Sequence, residues 1–475
     1  MKKTLLANAT PDETRVALIE DGKLAELFID RHLQGNAKLV GNIYKGRVEN
    51  VLPGISSAFV DVGLEKNAYL YISDVVADKP DRDIGKMLTK NTDIMIQVAK
   101  EAIGTKGMKV TMDISLPGRY LVYMPISKHV GISRQIEQRA ERERLRTIIQ
   151  SFNPTGGVII RTEAQGADER ALRREMKYLL KLWENIQKKY EAAPAPALVH
   201  KELGLTFQMA RDVLSENVEA FLLDSKAEYE DVKNFVEMLA PELIDRVRQY
   251  ESKTPIFEAF HVEEEILTLR QARIDLPSGG YIIIQEAESL CAIDVNTGKF
   301  TGRSSQEETV TLTNIEAAVE VARQLRLRHI GGIIVIDFID MKKRKNRIKV
   351  TEALQHGTRN DHAKIKILPI TRLGLIEMTR ERKHESLLAL LCEPCEECTG
   401  SGWVLSKESL YFKIRKEILS ITQGRADGRL KVSLAPHIAD YFRSSQARME
   451  RQIHRTVEIQ SDPTLPTENY KIILE

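Results

Sequence analysis

The stretch from Gly279 to Met341 constrains the fold most, because its hydrophobic pattern changes from strand-like to helical and back. Gly280-Tyr-Ile-Ile-Ile-Gln285 and Leu290-Cys-Ala-Ile-Asp-Val-Asn296 read as strands, the second ending in polar residues and Gly298. After a Ser/Thr/Glu-rich opening, Asn314 to His329 carries Ile315, Ala318, Val319, Val321, Ala322 and Leu325 at helical spacing, and Gly331-Gly332 stops it. Ile333-Ile-Val-Ile-Asp-Phe-Ile-Asp340 follows as a β-branched strand apolar enough to be buried on both faces of a sheet. Two strands of one sheet joined through a helix run parallel, so their carboxyl ends share one edge. In open α/β sheets that edge binds ligands, and here it carries Asp294, Asn296 and Asp337.

Two carboxylates a few ångströms apart repel. They either share a proton or hold a hard cation such as Mg²⁺, which prefers oxygen ligands and keeps several waters. A bound cation polarises a phosphoryl oxygen and generates hydroxide near neutral pH, so the metal reading suits phosphodiester hydrolysis. Asn296 lies on the same strand face as Asp294 and can hydrogen-bond a carboxylate without adding charge. The alternative is that these polar groups cap turns and helices, and Asp340 reads as the N-cap of a helix beginning near Lys342 and reaching Leu354. The run Lys342-Lys-Arg-Lys-Asn-Arg347 is either a phosphate attractor beside Asp337 or a solvated helix face.

At 475 residues the chain exceeds one typical core, so roughly two to four domains are expected. With 42% hydrophobic and 29% charged residues it is a soluble globular type, and a net charge of +2 announces no polyanion partner by itself. The opening Met1-Lys-Lys-Thr-Leu-Leu-Ala-Asn-Ala imitates a signal peptide but is cut short by Pro11-Asp-Glu-Thr-Arg15. No apolar run approaches the roughly 18 residues of a membrane span. Four cysteines, three of them clustered, fit a metal site in a reducing cytoplasm better than a disulfide framework.

In chain order, residues 1–37 read as two short strands around Asp21-Gly22 that must join a later segment to fold. Residues 38–112 have the texture of an OB-type barrel: short strands such as Ser57-Ala-Phe-Val-Asp-Val-Gly63 and Ala68-Tyr-Leu-Tyr-Ile72 between Gly, Pro and Asp turns. Such barrels stack single-strand bases on exposed aromatics beside basic groups, for which Phe59, Tyr69 and Lys106 are the candidates; otherwise the two rings fill the barrel core. In 113–204 a strand Gly157-Val-Ile-Ile-Arg-Thr162 precedes a long helix from Asp168 to Ala193. Arg161 and Thr162 either bind phosphate through a guanidinium fork and a hydroxyl, or Arg161 pairs with Glu163 or another carboxylate. Residues 205–269 read as helices over Glu216–Leu223, Tyr229–Leu239 and Pro241–Gln249, with a short strand at Gly204–Gln208. Cys395-x-x-Cys398-x-Gly400-x-Gly402 is a knuckle in which small residues let the backbone turn around a thiolate-bound metal. Zinc wants four ligands and the knuckle supplies two, so either two chains share one ion or Cys392 joins; Cys291 reads as a small buried residue. A redox CxxC competes, without a thioredoxin-like βαβ context. From 404 a small α/β tail runs to Glu475.

These motifs resemble the ribonuclease E/G family over essentially the whole chain, and the stop soon after the knuckle resembles its short members without a C-terminal scaffold tail. The resemblance rests on Gly41-Asn-Ile-Tyr-Lys-Gly46, Ala58-Phe-Val-Asp61, Gly131-Ile-Ser-Arg134, Val158-Ile-Ile-Arg-Thr162, Leu276-Pro-Ser-Gly-Gly280, Ala292-Ile-Asp-Val-Asn296, Ala322-Arg-Gln-Leu-Arg-Leu-Arg328, Ile334-Val-Ile-Asp-Phe-Ile-Asp-Met341 and the knuckle. It implies an α/β multidomain protein: an RNase H-like subdomain in two parts (1–37 and 205–269), an inserted S1 domain (38–112) and 5′-sensor region (113–204), a DNase I-like catalytic subdomain (270–390), a zinc-link (391–403) and a small C-terminal domain (404–475). It also implies a Mg²⁺-dependent endoribonuclease that cuts single-stranded RNA to 5′-phosphate and 3′-hydroxyl ends, is stimulated by a 5′-monophosphate, and acts in rRNA processing and mRNA turnover. By the same resemblance Asp294 and Asp337 hold Mg²⁺ with Asn296 in support, and Phe59, Tyr69 and Lys106 hold RNA, Tyr69 standing where the family often has phenylalanine. Arg161, Thr162 and the nearby Val122 sense the 5′-phosphate, and Cys395 and Cys398 share Zn²⁺ across a homodimer that is open to further pairing into a tetramer. A non-catalytic RNA-binding protein and a DNA-directed nuclease are the rival readings.

Overall fold

In the computed structural model, which describes residues 2–31, 39–76, 83–101, 107–298, 306–371, 373–398, 400–422 and 429–474 of a mixed α/β chain, the first three strands do not close a sheet alone. Lys3–Ala9, Glu13–Glu20 and Lys23–Arg31 form an antiparallel meander, and Lys3–Ala9 also pairs in parallel with Val218–Leu223, which pairs with Val247–Gln249. Leu5, Val16, Phe221 and Leu223 bury this sheet against the helices Leu205–Asp212 and Lys226–Leu239. Three expectations from local pattern are corrected here. Gly204–Gln208 opens a helix, Val218–Leu223 is a strand, and Pro241–Arg246 is a 3₁₀ turn leading into the strand Val247–Gln249. Long-range pairing with the first strand decides the state of Val218–Leu223, whose short apolar run is compatible with either helix or strand.

The next module is a closed barrel. Ile43–Leu52 pairs with Ser57–Asp61 along one half and with Asp93–Lys100 along the other, and Ala68–Tyr71 and Lys109–Thr111 complete the ring. The long strand can serve both neighbours because its register shifts between Val48 and Asn50 and because Gly46 carries no Cβ; one there would lie 2.5 Å from Val60. Val48, Ala58, Val60, Ala68, Leu70, Ile96 and Val110 fill the interior. This five-stranded ring is an S1/OB-like barrel.

A four-stranded sheet follows (Val130–Ile132, Gly157–Ile160, Leu121–Met124, Leu116–Pro117), packed by the helices Arg139–Ser151 and Glu169–Ala192. Its anchor is Glu175, whose carboxylate is almost fully buried and accepts the backbone N–H groups of Arg119, Tyr120 and Leu121 at 2.5, 2.9 and 2.8 Å.

The central sheet runs Arg273–Asp275, Tyr281–Glu286, Leu290–Asn296, Gly332–Asp337, Leu375–Arg380, Ile365–Ile367. Only its middle pair, Leu290–Asn296 and Gly332–Asp337, is parallel, and the helix Gln306–Leu327 connects the two. That helix starts earlier than Asn314, so the Thr/Glu-rich opening is helical. With Arg344–Gly357 it covers one sheet face over Ile293, Val295, Ile334, Ile336, Ile376 and Met378. The strand Gly332–Asp337 is therefore not buried on both faces as its composition suggests: Ile333 is 53% exposed, and Leu290 and Ala292 beside it are also open.

Compact units divide at Met1–Leu388 and Ala389–Glu475. In the second, the helices Lys407–Thr422 and Pro436–Ile453 pack on a three-stranded sheet (Val457–Ser461, Leu430–Leu434, Tyr470–Leu474) through Ile414, Val432 and Phe442. Among the described residues no helix is long and apolar enough to cross a membrane.

One buried cation ties the first sheet to the central one. Arg326, at the end of the helix Gln306–Leu327, donates to Glu26 at 2.6 and 2.8 Å and to Glu20 at 2.9 and 3.3 Å. Burial pushes the Glu20 carboxyl up, but Arg326 and Lys3 outweigh it and hold it below an ordinary carboxyl. Arg326→Leu, which strands two carboxylates, is expected to cost about 3–5 kcal/mol, read as a lower denaturant midpoint of the first unit. Because the Glu20 pKa is depressed on folding, its contribution is complete above an ordinary carboxyl's 4.5 and lost as pH falls below it. The variant should lose that part of the acid sensitivity.

Candidate functional site

Asp294 and Asp337 are direct register partners at the carboxyl ends of the parallel central strands. Alternation turns Ile293, Val295 and Ile336 into the core and both aspartates out to solvent. Among the described residues neither is in an ion pair with a Lys or Arg. Asn296 donates from Nδ2 to Asp294 Oδ2 at 2.7 Å, which fixes one carboxylate oxygen and leaves the other open. The aspartates line a polar pocket of about 440 Å³ with Asn296, Thr297, Asp340 and Leu373.

The connecting helix holds this edge in place. Asn314, fully buried, donates from Nδ2 to the Ile339 carbonyl at 2.8 Å and accepts the Ile339 N–H at 3.1 Å, clamping the chain two residues beyond Asp337. Glu307 accepts the N–H groups of Lys342 and Lys343 at 3.1 and 3.0 Å and the Asn346 amide at 2.9 Å, so it caps the helix Arg344–Gly357 from another element. Asp340 is thus not that cap, and it lines the aspartate pocket instead. The side chains of residues 342–345 are exposed, the first two just before the helix and the other two on its first turn. On the other side Gly280 closes against the strand end, where a Cβ would lie 2.7 Å from the Asn296 carbonyl. Neither Asn314 nor Glu307 stands out in sequence, because a Thr/Asn/Glu-rich segment gives no hint that it will be buried.

Two unneutralised carboxylates, a supporting amide and room for water form an all-oxygen donor set that suits a hard divalent cation. Among the described residues no three His, Cys, Asp or Glu side chains converge as a ligand set, so Asp340 does not complete one.

On the barrel, Phe59 and Tyr69 are register partners, and their rings meet edge-on with centroids 6.0 Å apart. Their neighbours Ala58, Val60, Ala68 and Leu70 point inward, so both rings lie on the outer face and not in the core. Ser57 donates to the Tyr69 hydroxyl at 2.6 Å. Lys106 lies outside the described residues.

Arg161 and Thr162 line a larger cavity of about 750 Å³. Arg161 donates to the Gly118 carbonyl at 2.7 Å and Asp212 at 2.6 Å, and has Glu163 at 3.7 Å. Burial pushes Asp212 up, but Arg211 and Arg161 outweigh it and hold its carboxyl low. The Thr162 hydroxyl bonds Gln135 and Ser133 at 3.0 and 2.9 Å. Val122 pairs with Ile159 across the neighbouring strands and is not among the residues lining the cavity. Arg134 and Lys364 line it and are in no ion pair among the described residues.

In the second unit the Cys395 and Cys398 thiols hydrogen-bond each other, and Gly402 donates its N–H to Cys398 Sγ at 3.3 Å. The N–H groups of Gly402 and Gly400 lower the Cys398 pKa, which favours its thiolate. Among the described residues Cys392 does not join these two in a group of three metal-ligating side chains. Cys291 is buried, and desolvation pushes its thiol up to about 12, which leaves it protonated.

Residues 115–383 match the model of the Ribonuclease E/G family. The chain is 39% identical to Ribonuclease G of Haemophilus influenzae across 99% of both proteins, and 38% identical to Ribonuclease G of Escherichia coli K12 across the full length of both. Ribonuclease E of Nostoc is 38% identical over 82% of this chain and 58% of its own length. The chain belongs to the ribonuclease E/G family.

Two like charges face each other across adjacent strands without a counter-ion among the described residues, so either Asp294→Asn or Asp337→Asn should stabilise the metal-free protein by about 0.2–1 kcal/mol. Adding millimolar Mg²⁺ should raise the melting temperature of the wild type and leave that of the variants nearly unmoved. A scan in which Mg²⁺ shifts all three alike would contradict the paired-carboxylate geometry.

Proposed function

We propose that the protein is a Mg²⁺-dependent endoribonuclease that cuts single-stranded RNA to 5′-phosphate and 3′-hydroxyl ends. The observation that carries this reading is the in-register, unneutralised pair Asp294 and Asp337 at one edge of the central sheet. When bound, Mg²⁺ supplies polarisation of the scissile phosphoryl oxygen and an acidified water. Asp294 and Asp337 provide the negative charge that holds the ion, and Asn296 keeps one oxygen of Asp294 turned toward itself. Phe59 and Tyr69 offer sequence-tolerant stacking for unpaired bases, with Lys106 as the accompanying cation.

On the same reading Arg161 and Thr162, with Val122 nearby, bind a 5′-monophosphate, which stimulates cleavage. A phosphate would take guanidinium bonds now made to Asp212, a carboxylate that keeps Arg211 as a second partner. Residues 1–37 and 205–269 form the RNase H-like subdomain, 38–112 the S1 domain, 113–204 the 5′-sensor, 270–390 the DNase I-like catalytic subdomain, 391–403 the zinc-link and 404–475 the small C-terminal domain. Cys395 and Cys398 bind Zn²⁺ with the same pair from a second chain, which makes a homodimer. The setting is the bacterial cytoplasm, and the natural work is rRNA processing and mRNA turnover.

With a short single-stranded RNA and Mg²⁺, Asp294→Asn and Asp337→Asn should each lower cleavage on the order of a thousandfold, the effect of several kcal/mol of transition-state stabilisation. RNA affinity should be retained. Undiminished cleavage would remove the pair from the mechanism, whereas a wild type that binds the RNA without cutting it would be an RNA-binding protein only.

For the cysteines, metal analysis should give about half an equivalent of zinc per chain, and Cys395→Ser should yield monomers. One full equivalent per chain would contradict sharing.

A further inference from the structure

We infer that Arg344 and Arg347, which line a second cavity at the aspartate edge of the central sheet, bind phosphates of the RNA strand flanking the cut. The inference rests on the endoribonuclease reading above and adds a substrate subsite to it.

Topology brings the pieces to one edge. The helix Arg344–Gly357 follows the strand Gly332–Asp337, so its first turn lies near the strand end that bears Asp337. Ile365–Ile367 is antiparallel to Leu375–Arg380, which is antiparallel to Gly332–Asp337, so the connection after Ile367 reaches that edge as well. This connection lines two spaces. Leu373, 78% exposed, lines the aspartate pocket, and Leu368 and Ile370 line a neighbouring cavity of about 610 Å³.

That second cavity has a cationic side and an apolar side. Arg344 and Arg347 line it from the helix, beside the exposed Ile348, with Leu368 from the strand connection. Arg347 donates from Nε to the Met341 carbonyl at 2.8 Å, which anchors the side chain, and neither arginine is in an ion pair among the described residues. Glu352 is the only carboxylate among the described lining residues, so the cavity keeps an excess of positive charge. Five of the six residues from 342 to 347 are Lys or Arg, whereas a merely solvated helix face interleaves acids with its bases. The backbone N–H groups of Lys342 and Lys343 are taken by Glu307, so the side chains and not the helix terminus carry the site. Single-stranded RNA has the matching chemistry: an anion at every nucleotide, with sugar and base between that can lie on Ile348 and Leu368.

Salt dependence tests this, with a single-stranded RNA that extends well beyond the cut on both sides. Its affinity is measured in EDTA and its cleavage with Mg²⁺. The logarithm of affinity should fall linearly with the logarithm of salt concentration, by about 0.7 per neutralised phosphate. Arg344→Gln/Arg347→Gln should weaken binding, raise KM and flatten that slope by about 1.4, the share of two phosphates. Arg344→Gln alone, at an exposed position, should flatten it by about 0.7, which keeps the test intact if the loss of Arg347 disturbs folding. Lys226→Gln, whose side chain is 74% exposed on the helix Lys226–Leu239, should keep the wild-type slope. If both arginine variants keep the slope, or Lys226→Gln flattens it as far as Arg344→Gln does, the subsite is wrong and the endoribonuclease reading stands. A wild type that binds the RNA but never cuts it would overturn that reading, and this one with it.

Discussion

Parallel pairing of Leu290–Asn296 with Gly332–Asp337 sets Asp294 opposite Asp337, and the rest of the site follows from that register. One sheet face is covered by two helices and the other is open, so side-chain alternation leaves little freedom. A slip of one residue in either strand would drive an aspartate among Ile293, Val295, Ile334 and Ile336 and turn those residues out to water. An uncompensated carboxylate in that layer would cost several kcal/mol. Apolar burial on one face thus maintains two mutually repelling charges on the other. Such a conflict between local electrostatics and global packing is typical of sites held for chemistry.

A parallel pair also requires a crossover, and the helix that supplies it has further roles. It covers the sheet, Asn314 clamps Ile339, Glu307 caps the next helix, and Arg326 bonds two glutamates of the first sheet. The edge bearing the aspartates is therefore tied to the sheet built from the two ends of the long insertion. The barrel and the Arg161 module lie between strands that pair with each other, so both are held by a common frame. Glu175 does comparable work inside the second module: its three backbone bonds fix the turn whose Gly118 carbonyl receives Arg161.

What the sequence discloses depends on how local the determining interaction is. The strand–helix–strand order around Asp294 and Asp337 is legible because the hydrophobic period changes sharply and glycines mark the ends. The hairpin at Asp21-Gly22 and the helix after Asp168 are legible for similar reasons. Val218–Leu223 misleads because its six residues take their state from a strand near the amino terminus. Ile333 and Val335 imply burial on two faces, although composition cannot reveal that the second layer is absent. Asp340 satisfies every local rule for a cap, yet Glu307 takes the role from a distant position in the chain. Side chains that meet only in space, such as Arg161 with Asp212, leave no mark in a single sequence.

The central claim is that one divalent ion sits between Asp294 and Asp337, and manganese in place of magnesium tests it most directly. Crystals soaked in Mn²⁺ should show a single anomalous peak at the carboxyl ends of the two central strands, within bonding distance of both aspartates. A peak bound by only one of them, or none on that edge of the sheet, would contradict the account.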